Sequence, residues 1–175
     1  MFNPQSSTID NITQIKLLAL DVDGILTDGG LYYSESGEVS KKFNVKDGKG
    51  IQLLMRSGIE VAIISANDSP ATNYRARKLG IENCFIGVED KLIVLINLCK
   101  KLNLSLAQVA YMGDDLNDLS VLNAVGFPLT VADAIPENKA VAKYVTNQSG
   151  GQGAVREICN LLLTSVSQEK LLVNH

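Results

Sequence analysis

The sequence predicts an α/β chain: a three-layer α/β/α, Rossmann-like parallel sheet with helices on both faces and a β-hairpin flap. Two observations carry this. Short apolar runs at 15–20, 60–64, 84–86, 109–112, 127–130 and 144–146 alternate with segments of helical periodicity. Three of those runs stop at polar residues, Asp21, Ser65 and Asp114, and a parallel sheet binds ligands outside the carboxyl ends of its strands.

Each element follows from its residues. Residues 15–20 read as a central strand, apolar on both faces. The strand ends in Asp21-Val22-Asp23-Gly24. Alternate strand positions point the same way, so Asp21 and Asp23 project toward one site. Two carboxylates held together need a cation or a shared proton. Residues 31–34 and 39–43 read as a hairpin around Glu35-Ser36-Gly37-Glu38. Residues 47–57, with Ile51, Leu53, Leu54 and Met55, read as a helix stopped at Gly58. After the strand at 60–64, Asp68-Ser69-Pro70 places a capping side chain before a first-turn proline and opens a helix that runs to Leu79 and Gly80. A short strand at 84–86 precedes a helix over 89–102 with Leu92, Leu95, Ile96 and Leu98 inward. The third buried strand, 109–112, ends in Gly113-Asp114-Asp115, and a helix over 117–124 follows. Strands at 127–130 and 144–146 flank a helix beginning at Pro136. Gly150-Gly151-Gln152-Gly153 is a loop, 154–166 a last amphipathic helix, and 167–175 a tail whose His175 reads as a solvated terminus. With no internal repeat and no linker, residues 1–175 read as one domain with its core at 13–166 and its flap at 31–43.

Composition removes several classes of function. A net charge of −3 with no basic stripe argues against a nucleic-acid partner. No apolar run spans a bilayer, and the first eleven residues lack the basic-then-apolar order of a signal peptide. Cys84, Cys99 and Cys159 are an odd set within apolar stretches, which reads as reduced core thiols in a cytoplasmic protein.

The polar groups at the strand ends suit phosphoryl transfer. A carboxylate attacks phosphorus and forms an aspartyl-phosphate. A second carboxylic acid protonates the leaving oxygen and later activates water. A hydroxyl and an ammonium hold the phosphate oxygens as charge develops. Mg²⁺ bound by carboxylates screens the nucleophile from the phosphate. No Walker-type Gly-x-x-x-x-Gly-Lys-Ser/Thr run occurs.

Asp21-Val22-Asp23-Gly24-Ile25-Leu26-Thr27-Asp28, Ile63-Ile64-Ser65, Lys91 and Gly113-Asp114-Asp115-Leu116-Asn117-Asp118, in this order, resemble the four motifs of the haloacid dehalogenase superfamily phosphatases. The stretches 42–48 and 150–157 are similar to the 3-deoxy-D-manno-octulosonate 8-phosphate phosphatases of that superfamily, and the likeness spans roughly 15–163. The resemblance implies Asp21 as nucleophile and Asp23 as general acid/base. It implies Mg²⁺ held by Asp21, the Asp23 backbone carbonyl and Asp114, with Asp115 supporting the metal and Asp118 bracing the loop. Ser65 and Lys91 would hold the phosphate, Lys91 also orienting Asp21. Thr27 and Asp28 would shape the flap, and Ala66, Asn67, Arg75 and Lys78 would meet the substrate.

The chain has no room for the cap domain that many superfamily members insert. The resemblance therefore implies a homotetramer, in which Tyr32, Tyr33, Val39 and Phe43 pack against neighbours and the end of the chain reaches toward a neighbouring site. The expected activity is Mg²⁺-dependent hydrolysis of an eight-carbon sugar acid phosphate for lipopolysaccharide precursor synthesis. Here Ser65-Ala66-Asn67 stands where such phosphatases show Thr-Gly-Arg, which removes a bidentate cation and keeps nonulosonate 9-phosphates as an alternative substrate. Two other classes compete. A phospho-acceptor receiver would carry its acceptor at the third strand, whereas here the Asp-x-Asp-Gly follows the first. A non-catalytic binding module would lack Asp21, Asp23, Lys91 or Asp114, and all four are present.

Overall fold

The computed structural model describes residues 12–173. Six parallel strands form one sheet in the order β5-β4-β1-β6-β7-β8. They are β1 (Leu17–Leu20), β4 (Glu60–Ile64), β5 (Asn83–Phe85), β6 (Val109–Met112), β7 (Phe127–Thr130) and β8 (Tyr144–Val145). The hairpin strands β2 (Tyr32–Tyr33) and β3 (Val39–Ser40) pair antiparallel outside this sheet. The helices are α1 (Val45–Arg56), α2 (Pro70–Leu79), α3 (Lys91–Leu102), α4 (Leu119–Leu122), α5 (Pro136–Val141) and α6 (Ala154–Val173).

Strand alternation sorts the core into two layers. Leu18 and Leu20 of β1, Val61 and Ile63 of β4, and Ala110 and Met112 of β6 face α1, α2 and α6 through Ile51, Leu54, Ala76, Val155, Ile158 and Leu162. Leu17, Ala19, Ala62, Ile64, Val109 and Tyr111 face the other way, against Leu95, Leu98 and Cys99 of α3 and Val121 and Leu122 of α4. β1 is apolar on both sides because both sides are covered. Cys99 and Cys159 are buried free thiols and Cys84 is half-buried.

The sheet register places the site. Leu20 pairs with Ile63 on one side and Met112 on the other. The Asp21 amide donates to the Met112 carbonyl at 3.0 Å, extending the ladder one residue beyond the strand. The segments bearing Asp21, Ser65 and Asp114 therefore leave adjacent strands at nearly the same level.

Helix boundaries are set by their caps. Asn44 caps α1 by accepting the Lys46 amide at 2.8 Å. Asp90 caps α3 by accepting the Ile93 amide at 3.0 Å, which starts that helix at Lys91 rather than 89. The expected capping side chain of α2 is absent as a bond: Ser69 occupies the N-cap with no side-chain hydrogen bond, and Pro70 alone sets the first turn. The helix expected over 117–124 is a 3₁₀ turn (Leu116–Asp118) followed by the short α4. The Asp118 side chain turns back to the Asp114 and Asp115 amides and tightens that segment. The last helix continues to Val173, past the boundary expected at 166, because 167–173 carries no glycine or proline to stop it. His175 and the first eleven residues lie outside the described residues.

Between Asp28 and Ser65 the chain forms only the hairpin, α1 and β4, and between Ser65 and Lys91 only α2 and β5. The flap strands leave Tyr32 and Tyr33 50% and 68% exposed. Among the described residues no helix is long and apolar enough to cross a membrane.

Candidate active site

A cavity of about 320 Å³ opens at the carboxyl ends of β1, β4 and β6. Its lining includes Asp21, Asp23, Ser65, Asn67, Asp114 and Asp115. Ala66 and Gly24 also line it.

Under this cavity lies a buried ionic cluster. The Lys91 ammonium sits 3.0 Å from Asp21 Oδ2 and 2.7 Å from Asp118 Oδ1. Lys91 opens α3, so its side chain comes in from beneath the sheet end and is almost fully buried. Asp118 is fully buried, and both of its oxygens are used. Oδ1 accepts from Lys91 and from the Tyr111 hydroxyl, at 2.6 Å for the latter. Oδ2 accepts the Asp114 and Asp115 amides at 3.0 and 3.2 Å.

Burial and a neighbouring negative charge both raise a carboxyl's proton affinity. Burial, then the Asp118 charge, push Asp21 from the ordinary 3.8 up to about 6, against the pull of Lys91. Burial, then Asp21 and Asp118, push Asp114 up to about 7. Burial likewise drives the Tyr111 phenol well above its ordinary range, which keeps it a hydrogen-bond donor to Asp118.

The donor set fits a hard divalent cation. Oxygens of Asp21, Asp114 and Asp118 lie within 4.8 Å of one another. Asp118 is already committed to four donors, whereas Asp114 Oδ1 is buried with no hydrogen-bond partner. An orphaned carboxylate oxygen beside a second buried carboxylate is what a cation such as Mg²⁺ satisfies. The Asp114 side chain is held in place by a close approach. A Cβ on Gly24 would overlap Asp114 Oδ2, and Gly24 has φ +79°, a left-handed backbone that favours glycine. Gly24→Ala is expected to displace Asp114 and weaken divalent-metal affinity at least tenfold, read by metal titration calorimetry.

Part of the chain matches a haloacid dehalogenase-like hydrolase model over residues 87–158. The 3-deoxy-D-manno-octulosonate 8-phosphate phosphatase KdsC of Escherichia coli K12 is 45% identical over 171 residues, covering 97% of this chain and 90% of that protein. This chain belongs to the 3-deoxy-D-manno-octulosonate 8-phosphate phosphatase family of the haloacid dehalogenase superfamily. The Yersinia pestis phosphatase of this family is 45% identical over 93% of this chain and 86% of its own length. The crystal structure of the family's Moraxella catarrhalis phosphatase, in complex with magnesium, phosphate and KDO, superposes with a TM-score of 0.91 at 40% identity, covering 97% of this chain and 98% of that one. The cobalt-bound Haemophilus influenzae phosphatase superposes with a TM-score of 0.86 at 39% identity, covering 90% of this chain and 92% of that one.

Within this octulosonate phosphatase fold, the residues singled out from sequence divide into three groups. Asp21, Asp23, Ser65, Ala66, Asn67, Asp114 and Asp115 all line the cavity. Lys91 and Asp118 lie directly beneath it. The remaining four sit elsewhere. Thr27 is fully buried and staples the turn, donating to the Val22 carbonyl at 3.3 Å and accepting the Gly29 amide at 3.2 Å. Asp28 pairs with Lys42 at 2.8 Å at the base of the flap, where Thr27 and Phe43 form a bridge. Lys42, with its hydrogen bond first and the Gly30 amide second, holds the Asp28 carboxyl below its usual range. Arg75 and Lys78 do not line the cavity. Arg75 lies five residues past the start of α2, about 7.5 Å along the axis at 1.5 Å per residue. It donates to the Asn44 carbonyl at 3.0 Å and lies 5.8 Å from the Phe43 ring centroid, so its fork is used to tie α2 to the start of α1. Lys78 lies over Tyr74, 5.6 Å from the ring centroid.

The glycine loop after β8 buttresses the site. Gly151 donates to the Ile25 carbonyl at 3.0 Å, and a Cβ on Gly150 would overlap the Gly24 backbone. The loop thus packs directly under the turn that carries Asp23 and Gly24.

Two contributors were not singled out from the sequence. Tyr111 is buried among apolar strand residues and reads as core until its hydroxyl is seen on Asp118. Lys41 lies in a polar hairpin arm, one of two adjacent lysines, and nothing local marks it from Lys42. Its ammonium lies 2.7 Å from both oxygens of Asp23.

Proposed function

We propose that this chain is a Mg²⁺-dependent phosphomonoesterase that hydrolyses 3-deoxy-D-manno-octulosonate 8-phosphate to the free sugar acid and phosphate, in lipopolysaccharide precursor synthesis. The convergence of Asp21, Asp23, Ser65 and Asp114 on one cavity, with Lys91 beneath, supports it most. In this reading Asp21 attacks phosphorus and forms an aspartyl-phosphate as the sugar oxygen departs. Asp23 gives its proton to that oxygen and then takes one from the water that releases phosphate. Ser65 orients a phosphate oxygen, and Lys91 fixes the attacking carboxylate. Asp21, Asp114 and the Asp23 carbonyl are the residues that would hold Mg²⁺, with Asp115 beside them. Bound there, the ion neutralises charge between nucleophile and phosphate.

Asn67 lines the cavity where octulosonate phosphatases carry an arginine, which favours nonulosonate 9-phosphates as a second reading. Side-by-side measurement of phosphate release from the two sugars separates them. A higher kcat/KM for the eight-carbon ester supports the first reading, and one for the nine-carbon ester supports the second. The exposed flap residues Leu31, Tyr32, Tyr33 and Val39 support a homotetramer in which neighbouring copies cover each open site.

The raised carboxylates make a prediction about stability. Asp21 and Asp114 titrate at about 6 and about 7 in the folded metal-free protein against an ordinary 3.8. The folded chain then binds protons that the unfolded chain has lost, so stability falls as pH rises from about 4 to about 7. Thermal melts of EDTA-treated protein should give a lower Tm at pH 8 than at pH 5. Added Mg²⁺ should raise Tm by more at pH 8, where both carboxylates are ionised. A metal-free Tm that climbs over this interval contradicts the metal-binding cluster.

A further inference from the structure

Lys41 and Lys42 are adjacent in an extended arm of the flap, and their side chains take opposite directions. Lys42 turns outward to Asp28 and its side chain is 55% exposed. The Lys41 side chain is fully buried, and its ammonium bridges both oxygens of Asp23 at 2.7 Å each. Burying an ammonium costs several kcal/mol of lost hydration, and an ion pair returns little net stability over an apolar replacement. A buried lysine aimed from a flap at the one carboxylate that must exchange protons is poorly explained by stability alone. Asp23 stands on the turn after β1, with a side chain 32% exposed to the cavity. Nothing else on that turn fixes the plane of its carboxylate as a two-oxygen contact does.

We propose that Lys41 is the positioning residue of Asp23: it reaches from the flap and, through its contact with both oxygens, orients the acid/base carboxylate. This rests on the phosphomonoesterase reading above. In the first half-reaction the bond between phosphorus and the sugar oxygen breaks and a bond from the Asp21 carboxylate to phosphorus forms. The proton of the Asp23 carboxyl passes to the departing oxygen. Lys41 keeps its own protons and touches neither phosphate nor sugar. The flap thereby becomes part of the acid/base apparatus, and its docking onto the core governs protonation of the leaving group.

The role has a signature that a purely structural lysine lacks. A sugar alkoxide is a poor leaving group and needs the proton, whereas p-nitrophenolate leaves without one. kcat/KM reports only steps through release of the leaving group, so slow hydrolysis of the aspartyl-phosphate does not enter it. The experiment compares Mg²⁺-loaded wild type, Lys41→Met and Lys41→Arg on the sugar phosphate and on p-nitrophenyl phosphate. Lys41→Met should lose about 30-fold or more in kcat/KM on the sugar ester, a part of the roughly 10²–10⁴-fold that a general acid contributes, and less than about threefold on the aryl ester. Lys41→Arg should recover most of the loss. Asp23 is partly exposed, so water solvates it once the lysine is gone, and Lys41→Met should keep a cooperative melt. Equal losses on both esters, or no loss on the sugar ester, overturn the role of Lys41. Wild-type protein that releases phosphate from neither ester overturns the phosphomonoesterase reading itself.

Discussion

Asp21→Asn is expected to lower kcat on the sugar phosphate on the order of 10⁴-fold or more while leaving the fold and its stability intact. The amide is nearly isosteric but has no lone pair of comparable nucleophilicity, so the covalent half of the reaction is lost rather than slowed. Stability should survive for a separate reason. Burial and the neighbouring Asp118 charge hold the Asp21 carboxyl up at about 6, so carrying its charge at neutral pH costs the folded metal-free protein more than it costs the unfolded chain. Removing that charge relieves repulsion with Asp114 and Asp118, and Lys91 keeps its contact with Asp118 at 2.7 Å. Steady-state kinetics and a thermal melt of the metal-free variant check both halves. The Tm should equal or exceed that of the wild type. Turnover within tenfold of wild type would dismiss the covalent route.

Asp118→Ala is expected to be the most destabilising single change at the site. It deletes four hydrogen bonds: to Lys91, the Tyr111 hydroxyl and the Asp114 and Asp115 amides. A buried ammonium is left with Asp21 alone, and a buried phenol and two loop amides lose their acceptor. Breaking one side of a buried ion pair costs about 3–5 kcal/mol. For a chain of this length that corresponds to a fall in Tm of roughly 10 °C. Asp118→Asn keeps two acceptor lone pairs and should cost less than half as much. Urea unfolding is the direct check, with the midpoint lowered and the slope unchanged. Because Asp118 also fixes the segment that presents Asp114, Mg²⁺ affinity should fall with stability. An unfolding free energy within about 1 kcal/mol of wild type would show that Lys91 and the loop find other partners.

Much of this was legible in the sequence because the informative signals are local. Residues 109–112 and 127–130 are strands with the predicted bounds, since each is a short apolar run closed by a turn. Asp21 and Asp23 both line the cavity as expected, although Asp23 stands on the turn beyond β1, where strand alternation no longer applies, and Asp114 meets them because its strand is adjacent in the sheet. The rest depends on contacts between segments far apart in the chain. Asp118 is implied by the resemblance to brace its own loop, yet its ion-pair partner Lys91 lies 27 residues away. Lys41 and Asp23 are 18 residues apart across a hairpin whose docking no periodicity encodes. Arg75 is a cation on the helix after Ser65, which suggests substrate, but the Asn44 carbonyl 31 residues earlier claims its guanidinium. Tyr111 was hidden because a strand tyrosine buried among apolar neighbours is ordinarily core.

In the proposed reaction the carboxylates around this cavity act together and Asp21 is transiently phosphorylated. Acid-quenching the enzyme during turnover and reducing it with borohydride converts an acyl phosphate to homoserine, which peptide mass spectrometry locates. Homoserine is expected at position 21 alone, present with Mg²⁺ and substrate and absent when EDTA is added first. Modification at another carboxylate, or an unmodified Asp21 under conditions where phosphate is being released, would contradict the covalent route.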